Sequence, residues 1–209
     1  MKRLWFGILG LALALQCLAV AAQSWVADPG IQRRLAAGEV VVQAPPIDPS
    51  RPRGRVHAAV RIQAPPEAIW SVMTDCRQAR AFVPGLKRCR RVDAAPDGRW
   101  EDIEQEVRYS WLLPSVDYVF RAQYEWPHRI DFRRVSGDLR EQEGAWLLTA
   151  TPEGSGTVVE YEAYLDPGFW IPQLLVTRPL RTDLPAALSG LRERVESTQP
   201  HLRRAANPD

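Results

Sequence analysis

Between Trp100 and Leu165 the chain carries one strand-length segment after another, and the cleanest of them constrains the rest. From Val116 to Trp126, the residues Val116, Tyr118, Phe120, Ala122, Tyr124 and Trp126 alternate with Asp117, Arg121, Gln123 and Glu125. A period of two sends the two sets to opposite faces of a strand, one apolar and one wet. Trp100 to Trp111 repeats the pattern with Ile103, Val107, Tyr109 and Trp111, interrupted by Gln105. Arg129 to Val135, Gly144 to Thr151 and Thr157 to Leu165 extend it, separated by Ser-Gly-Asp and Pro-Glu-Gly-Ser-Gly turn signals. Short links make neighbouring strands antiparallel. The series predicts a meander whose apolar, aromatic face has to be covered by something else.

The flanks supply the cover. Upstream, His57 to Ile62 reads as a strand, APPEAIWSVMTD as a helix with Ile69, Trp70 and Met73 at helical spacing, and Leu86 to Val92 as a basic strand. Downstream, Leu180, Leu184, Leu188, Leu191 and Val195 recur every three or four residues, with Asp183 placed to cap and Pro185 in the first turn. The fold class is therefore α+β, a curved antiparallel sheet of about six to seven strands wrapped around a long C-terminal helix. A gap between such a sheet and its helix would be a ligand pocket.

The ends divide the chain. Residues 1–22 have Lys2 and Arg3 ahead of an apolar run from Leu4 to Leu15 and then small residues, the order of a secretory signal peptide, expected to be cleaved after Ala21 or Ala22, with an uncleaved anchor as the alternative. A lipidated Cys17 would need a small residue where Gln16 stands. Residues 23–53 form an N-terminal arm, with a short helix around Ile31 to Ala37, a strand-like Val40 to Val42 and a Pro-rich linker; 54–197 form one domain, and 198–209 a flexible tail. Without Lys2 and Arg3 the 27 basic residues become 25, against 25 acidic ones. That balance argues against nucleic acid as a partner, since such binding needs a concentrated positive surface. Arg88, Arg90, Arg91, Arg133 and Arg134 read as solvated strand edges, with an anionic-ligand or lipid-headgroup site as the alternative.

The stretch APPEAIWSVMTDCRQARAFVPGLKRCRRV resembles the opening of START-like proteins of the SRPBCC superfamily, including polyketide-cyclase-like and Coq10-like members. VSGDLREQEGAWLLTA and TVVEYEAYLDPGFWIP resemble later landmarks of the same family, in the same order. The resemblance implies a helix-grip fold around a deep apolar cavity that takes a lipid, a quinone, a polyketide or another hydrophobic molecule. Candidate lining residues on the apolar parity are Tyr109, Trp111, Tyr118, Phe120, Tyr124, Phe132, Trp146, Tyr161 and Tyr164, with Leu184 and Leu188 on the helix. Taken singly, each is better read as filling a packed core, and parity does not say which sheet face is concave. The tyrosines favour a cavity as a set, because their hydroxyls need partners when buried.

In the family-like arrangement Cys76 ends the first helix and Cys89 lies in the following strand, the AFVPGL turn folding one back toward the other; this implies a disulfide, with two free thiols as the alternative. Closing that loop should stabilise by roughly 3 kcal/mol. His57, His128 and His201 show no metal-ligand spacing, and no serine stands in a nucleophile-elbow context, so no catalytic residue, metal or cofactor is assigned. Glu104 with Glu106, and Glu160 with Glu162, are expected to face water. The expectation is an exported, periplasmic protein that binds a hydrophobic small molecule or lipid. The rivals are a cyclase/aromatase-like enzyme and an interaction module with a filled core. The apolar clusters WLLPS and GFWIPQLL could rim a pocket, touch a membrane surface transiently, or pack on the arm.

Overall fold

The structure is a computed structural model that describes residues 24–44, 54–108, 115–166 and 182–199. Tyr109, Trp111, the signal segment and nearly all of the two apolar clusters lie outside the described residues. A 3-10 turn, Trp25–Ala27, leads into α1 (Pro29–Ala36) and β1 (Val41–Gln43). Then come β2 (Arg55–Ile62), α2 (Pro66–Met73) and α3 (Cys76–Ala79). The meander is β3 (Leu86–Ala94), β4 (Trp100–Val107), β5 (Val116–Glu125), β6 (Arg129–Gly137), β7 (Glu141–Ala150) and β8 (Thr157–Asp166). The last described helix is α4 (Leu184–Thr198). Among the described residues no helix is long and apolar enough to cross a membrane.

All eight strands form one antiparallel sheet in the order β1-β2-β8-β7-β6-β5-β4-β3. The eighth strand beyond the expected range is β1, which the N-terminal arm adds to the edge of β2, Val41 opposite Ala59. Pairing β2 with β8 brings the first strand of the meander domain beside its last, Val60 opposite Val159. The far edge, β3, is guarded by charge. Arg88 reaches Asp117 at 2.9 Å, Arg90 reaches Glu104 at 2.9 Å and Arg91 reaches Glu101 at 2.8 Å. Exposed pairs of this kind add at most about 1 kcal/mol each, so they protect the edge more than they stabilise it.

The inner face is defined by α4. Leu188, Leu191 and Val195, one stripe of that helix, are fully buried with Ala58, Val60 and Ile62 of β2 and Ile69, Trp70 and Val72 of α2. The opposite parity of β2 faces outward, where Val26, Ile31 and Leu35 of the arm pack on Ala59 and Val158. Asp28 caps α1 by accepting from the Gly30 and Ile31 N–H groups. Asp183 stands at the start of α4 but does not cap it: its carboxylate accepts from the Thr182 hydroxyl at 2.9 Å instead.

One pair of acids departs from expectation. Glu160 does not face water; it is 4% exposed beneath the arm, accepting from Ser24 Oγ at 2.6 Å. Burial pushes its carboxyl above the usual range, the Ser24 hydrogen bond opposes this, and nearby Glu162 adds to it. The period-two pattern marked Glu160 as outward, correctly, but cannot report that the arm lies over that face.

Asp75 caps α3 through the Arg77 N–H, and the Arg77 guanidinium lies 3.0 Å from it. Those two contacts hold its carboxyl at about 2, below the 3.8 of a free aspartate. Since the folded value lies below the unfolded one, the ionised group contributes stability above the unfolded value, lost as pH falls through the folded one. The stability gap between the protein and an Asp75→Ala variant, followed by urea unfolding, is expected to stay constant above about pH 5 and to shrink between about pH 4 and pH 2. A gap that widened on acidification would contradict this role.

Candidate ligand-binding face

Alternation places the candidate residues on one side. Tyr118, Phe120 and Tyr124 of β5, Phe132 of β6, Trp146 of β7 and Tyr161 of β8 all point to the face covered by α4, as do Leu184 and Leu188 of that helix. Tyr164 does not. It stands opposite Arg55 on the outer face, because three residues along a strand reverse the side from Tyr161.

The rings form a continuous arc. Tyr118 and Phe120 have centroids 6.2 Å apart, Phe120 meets Phe132 edge-on at 6.3 Å, Phe132 stacks on Tyr161 at 5.9 Å, and Tyr161 meets Trp146 at 4.3 Å. Gly144 makes the centre of the arc possible. A Cβ there would overlap the Phe132 ring and the Glu162 carbonyl, so no side chain can stand between Phe132 and the sheet. Tyr118, Phe132 and Leu188 are buried, whereas Phe120, Tyr124, Trp146, Tyr161 and Leu184 are half-buried. Because the buried stripe of α4 packs on β2 and α2, these aromatic residues of β5, β7 and β8 keep an accessible surface.

Polar groups interrupt the arc at defined points. Tyr118 Oη donates to Gln105 Oε1 at 2.8 Å, and Tyr124 Oη donates to Glu101 at 3.1 Å. Burial, reinforced by the Glu101 carboxylate, pushes the Tyr124 phenol well above its usual range, so it stays protonated and acts as a donor. Trp70 of α2 meets Tyr124 edge-on at 5.5 Å. Sequence reasoning treated Gln105 as an interruption and missed Glu101 and Trp70. Glu101, Ile103, Gln105 and Val107 share one parity, and that register was the signal available.

The outer face bears a groove of about 380 Å³ lined by Arg55, His57, Arg129, Asp131, Glu143 and Glu162 among others. Its mixed charges suit water better than an apolar molecule, so it is not the counterpart of the expected pocket. Glu104 and Glu106 also face outward, each within ion-pair distance of Arg88.

Comparison with known proteins agrees with this architecture. Residues 62–192 match the family model described as polyketide cyclase/dehydrase and lipid transport. A START superfamily protein from Mycobacterium smegmatis superposes with a TM-score of 0.59 at 20% identity, covering 69% of this chain and 98% of its own. For a STAR-related lipid transfer protein from Xanthomonas axonopodis the TM-score is 0.62 at 19% identity, with 75% and 92% covered. The Zhui aromatase/cyclase from a Streptomyces species gives 0.58 at 14% identity, with 74% and 96% covered. No curated protein sequence matches the chain. With the sheet, the gripped helix and a match over more than half its length in agreement, this chain belongs to the polyketide cyclase/dehydrase and lipid-transport family and has the START-like helix-grip fold.

Proposed function

We propose that this protein is exported to the periplasm and there binds a hydrophobic small molecule or lipid, a quinone or isoprenoid among the classes that fit, between the aromatic face of the sheet and α4. The observation that carries this reading is the arc from Tyr118 to Trp146, several of whose rings remain half-buried on the face that α4 covers only in part. Structural neighbours support the class: one is a lipid transfer protein and another an aromatase/cyclase. Affinity would come from burial, each methylene removed from water contributing about 0.8 kcal/mol.

Carriage is favoured over catalysis by the one acid–phenol pair of the inner face described above. Glu101 is engaged by Arg91 as well as by Tyr124, and a phenol held protonated is a donor, not a base. Protein purified from the periplasm of an expressing bacterium is expected to carry an extractable hydrophobe, detected by native mass spectrometry and identified after solvent extraction. Empty protein that also fails to take up added lipids would remove the binding reading, and recovery in the cytoplasmic fraction would remove export.

A further inference from the structure

Two polar atoms on the inner face have no hydrogen-bond partner. Arg134 Nε of β6 and Gln142 Oε1 of β7 are both shielded from solvent and unsatisfied. Their strands are paired as far as Arg133 opposite Glu143, and one step further in the same register brings Arg134 across from Gln142. Alternation from Phe132 and Gly144 puts both side chains on the face of the aromatic arc, one row along from Phe132. That row continues on both sides, with Phe120 opposite Arg134 and Leu165 opposite Gln142. The Arg134 guanidinium is otherwise held by its terminal nitrogen, which donates to the Gly137 carbonyl at 2.8 Å. Among the described residues no carboxylate pairs with it, and its buried Nε sets it apart from the solvated edge arginine the sequence suggests.

A buried donor and a buried acceptor facing each other across two strands, yet not bonded to each other, call for a bridging group that accepts from one and donates to the other. Leaving both orphaned costs about 1 to 3 kcal/mol apiece, which a bridging oxygen would recover. We propose that Arg134 and Gln142 read the head of the bound molecule, and that this head is a hydroxyl or phenol: its oxygen accepts from Arg134 Nε and its hydrogen goes to Gln142 Oε1. This rests on the hydrophobe-binding reading above and names the ligand class within it: an apolar body with one hydroxylated end. A carbonyl or ether head would satisfy Arg134 alone.

The test uses delipidated protein with an apolar fluorescent dye, displaced by para-hexylphenol or by its methyl ether. The two probes share an apolar body and an accepting oxygen, and only the phenol can donate. Wild-type protein is expected to bind the phenol about tenfold more tightly than the ether. Gln142→Leu should bring the phenol down to the level of the ether and leave the ether unchanged, whereas Arg134→Met should weaken both alike. Retained ether affinity shows that the Gln142 variant is folded, and the wild-type ratio decides the matter even if it is not. Equal binding of phenol and ether by the wild type would overturn the assignment, because water would then bridge the two atoms. Failure of both probes to displace a bound dye overturns the assignment alone, whereas failure of the protein to bind the dye or either probe removes the hydrophobe-binding reading with it.

Discussion

Shortening Leu188 to alanine is expected to lower the unfolding free energy by about 2 to 5 kcal/mol, read from urea unfolding. Leu188 has no exposed surface and lies where α4, β2 and α2 meet. The lost methyl and methylene groups leave a space walled by two fully buried strand residues, Val60 and Ile62, and by Ile69, none of which can collapse freely into it. Leu184, one helical turn earlier, is half-buried beside Phe132, Trp146 and Tyr161. The same truncation there is expected to cost less stability and more ligand affinity. If Leu188→Ala lost less than about 1 kcal/mol, the helix would not be held by its buried stripe.

Breaking the covalent tie should have a comparable effect. Cys76, at the start of α3, and Cys89, in β3, form a disulfide with Cα atoms 5.3 Å apart, within the ordinary range. The half-cystines are 13 positions apart. In the chain-entropy account, closing a loop of that size restricts the unfolded state by roughly 3 kcal/mol. A Cys76→Ser/Cys89→Ser double variant is expected to be destabilised by about that amount, with a lower urea midpoint and a steeper dependence on urea, because the unlinked unfolded chain exposes more surface. In protein denatured without reductant, Cys76 and Cys89 are expected to resist thiol-specific alkylation. Alkylation at both would contradict the bond.

How much of this was legible in the sequence depended on how local the cause was. The alternation Val116–Tyr118–Phe120–Ala122–Tyr124 specifies β5 and its inner face without reference to anything distant, and the leucine stripe specifies α4 in the same way. The sides of Tyr161 and Tyr164 follow from counting. What the pattern did not hold was which residues meet across strands. Gln105 reads as a flaw in an apolar series until Tyr118 is placed opposite it, and Glu101 reads as a surface acid until Tyr124 comes within hydrogen-bond distance. Glu160 fails for a related reason: what buries it is a segment more than a hundred residues earlier in the chain. Gly144 carries no signal of its own, since the Phe132 ring that requires it belongs to the neighbouring strand. Tyr109 and Trp111, which parity assigned to the same face, lie outside the described residues.

The sheet order has a consequence for how the molecule comes into being. β2 finds its partner in β8, about 100 residues later, and its inner surface is sealed by α4, which comes later still. The hairpins from β3 to β8 can zip locally, but the strand that begins the domain has no neighbour within it until the last strand has been made. Long-range closure of this kind costs loop entropy before it returns any contact, so folding is slow relative to a helical protein of the same size. A nascent chain that stops short of Thr157 leaves Ala58, Val60 and Ile62 without β8 and α4, with only β1 and α2 against them. The surface of β2 is therefore closed only when β8 and α4 arrive, and the ligand face is completed with it.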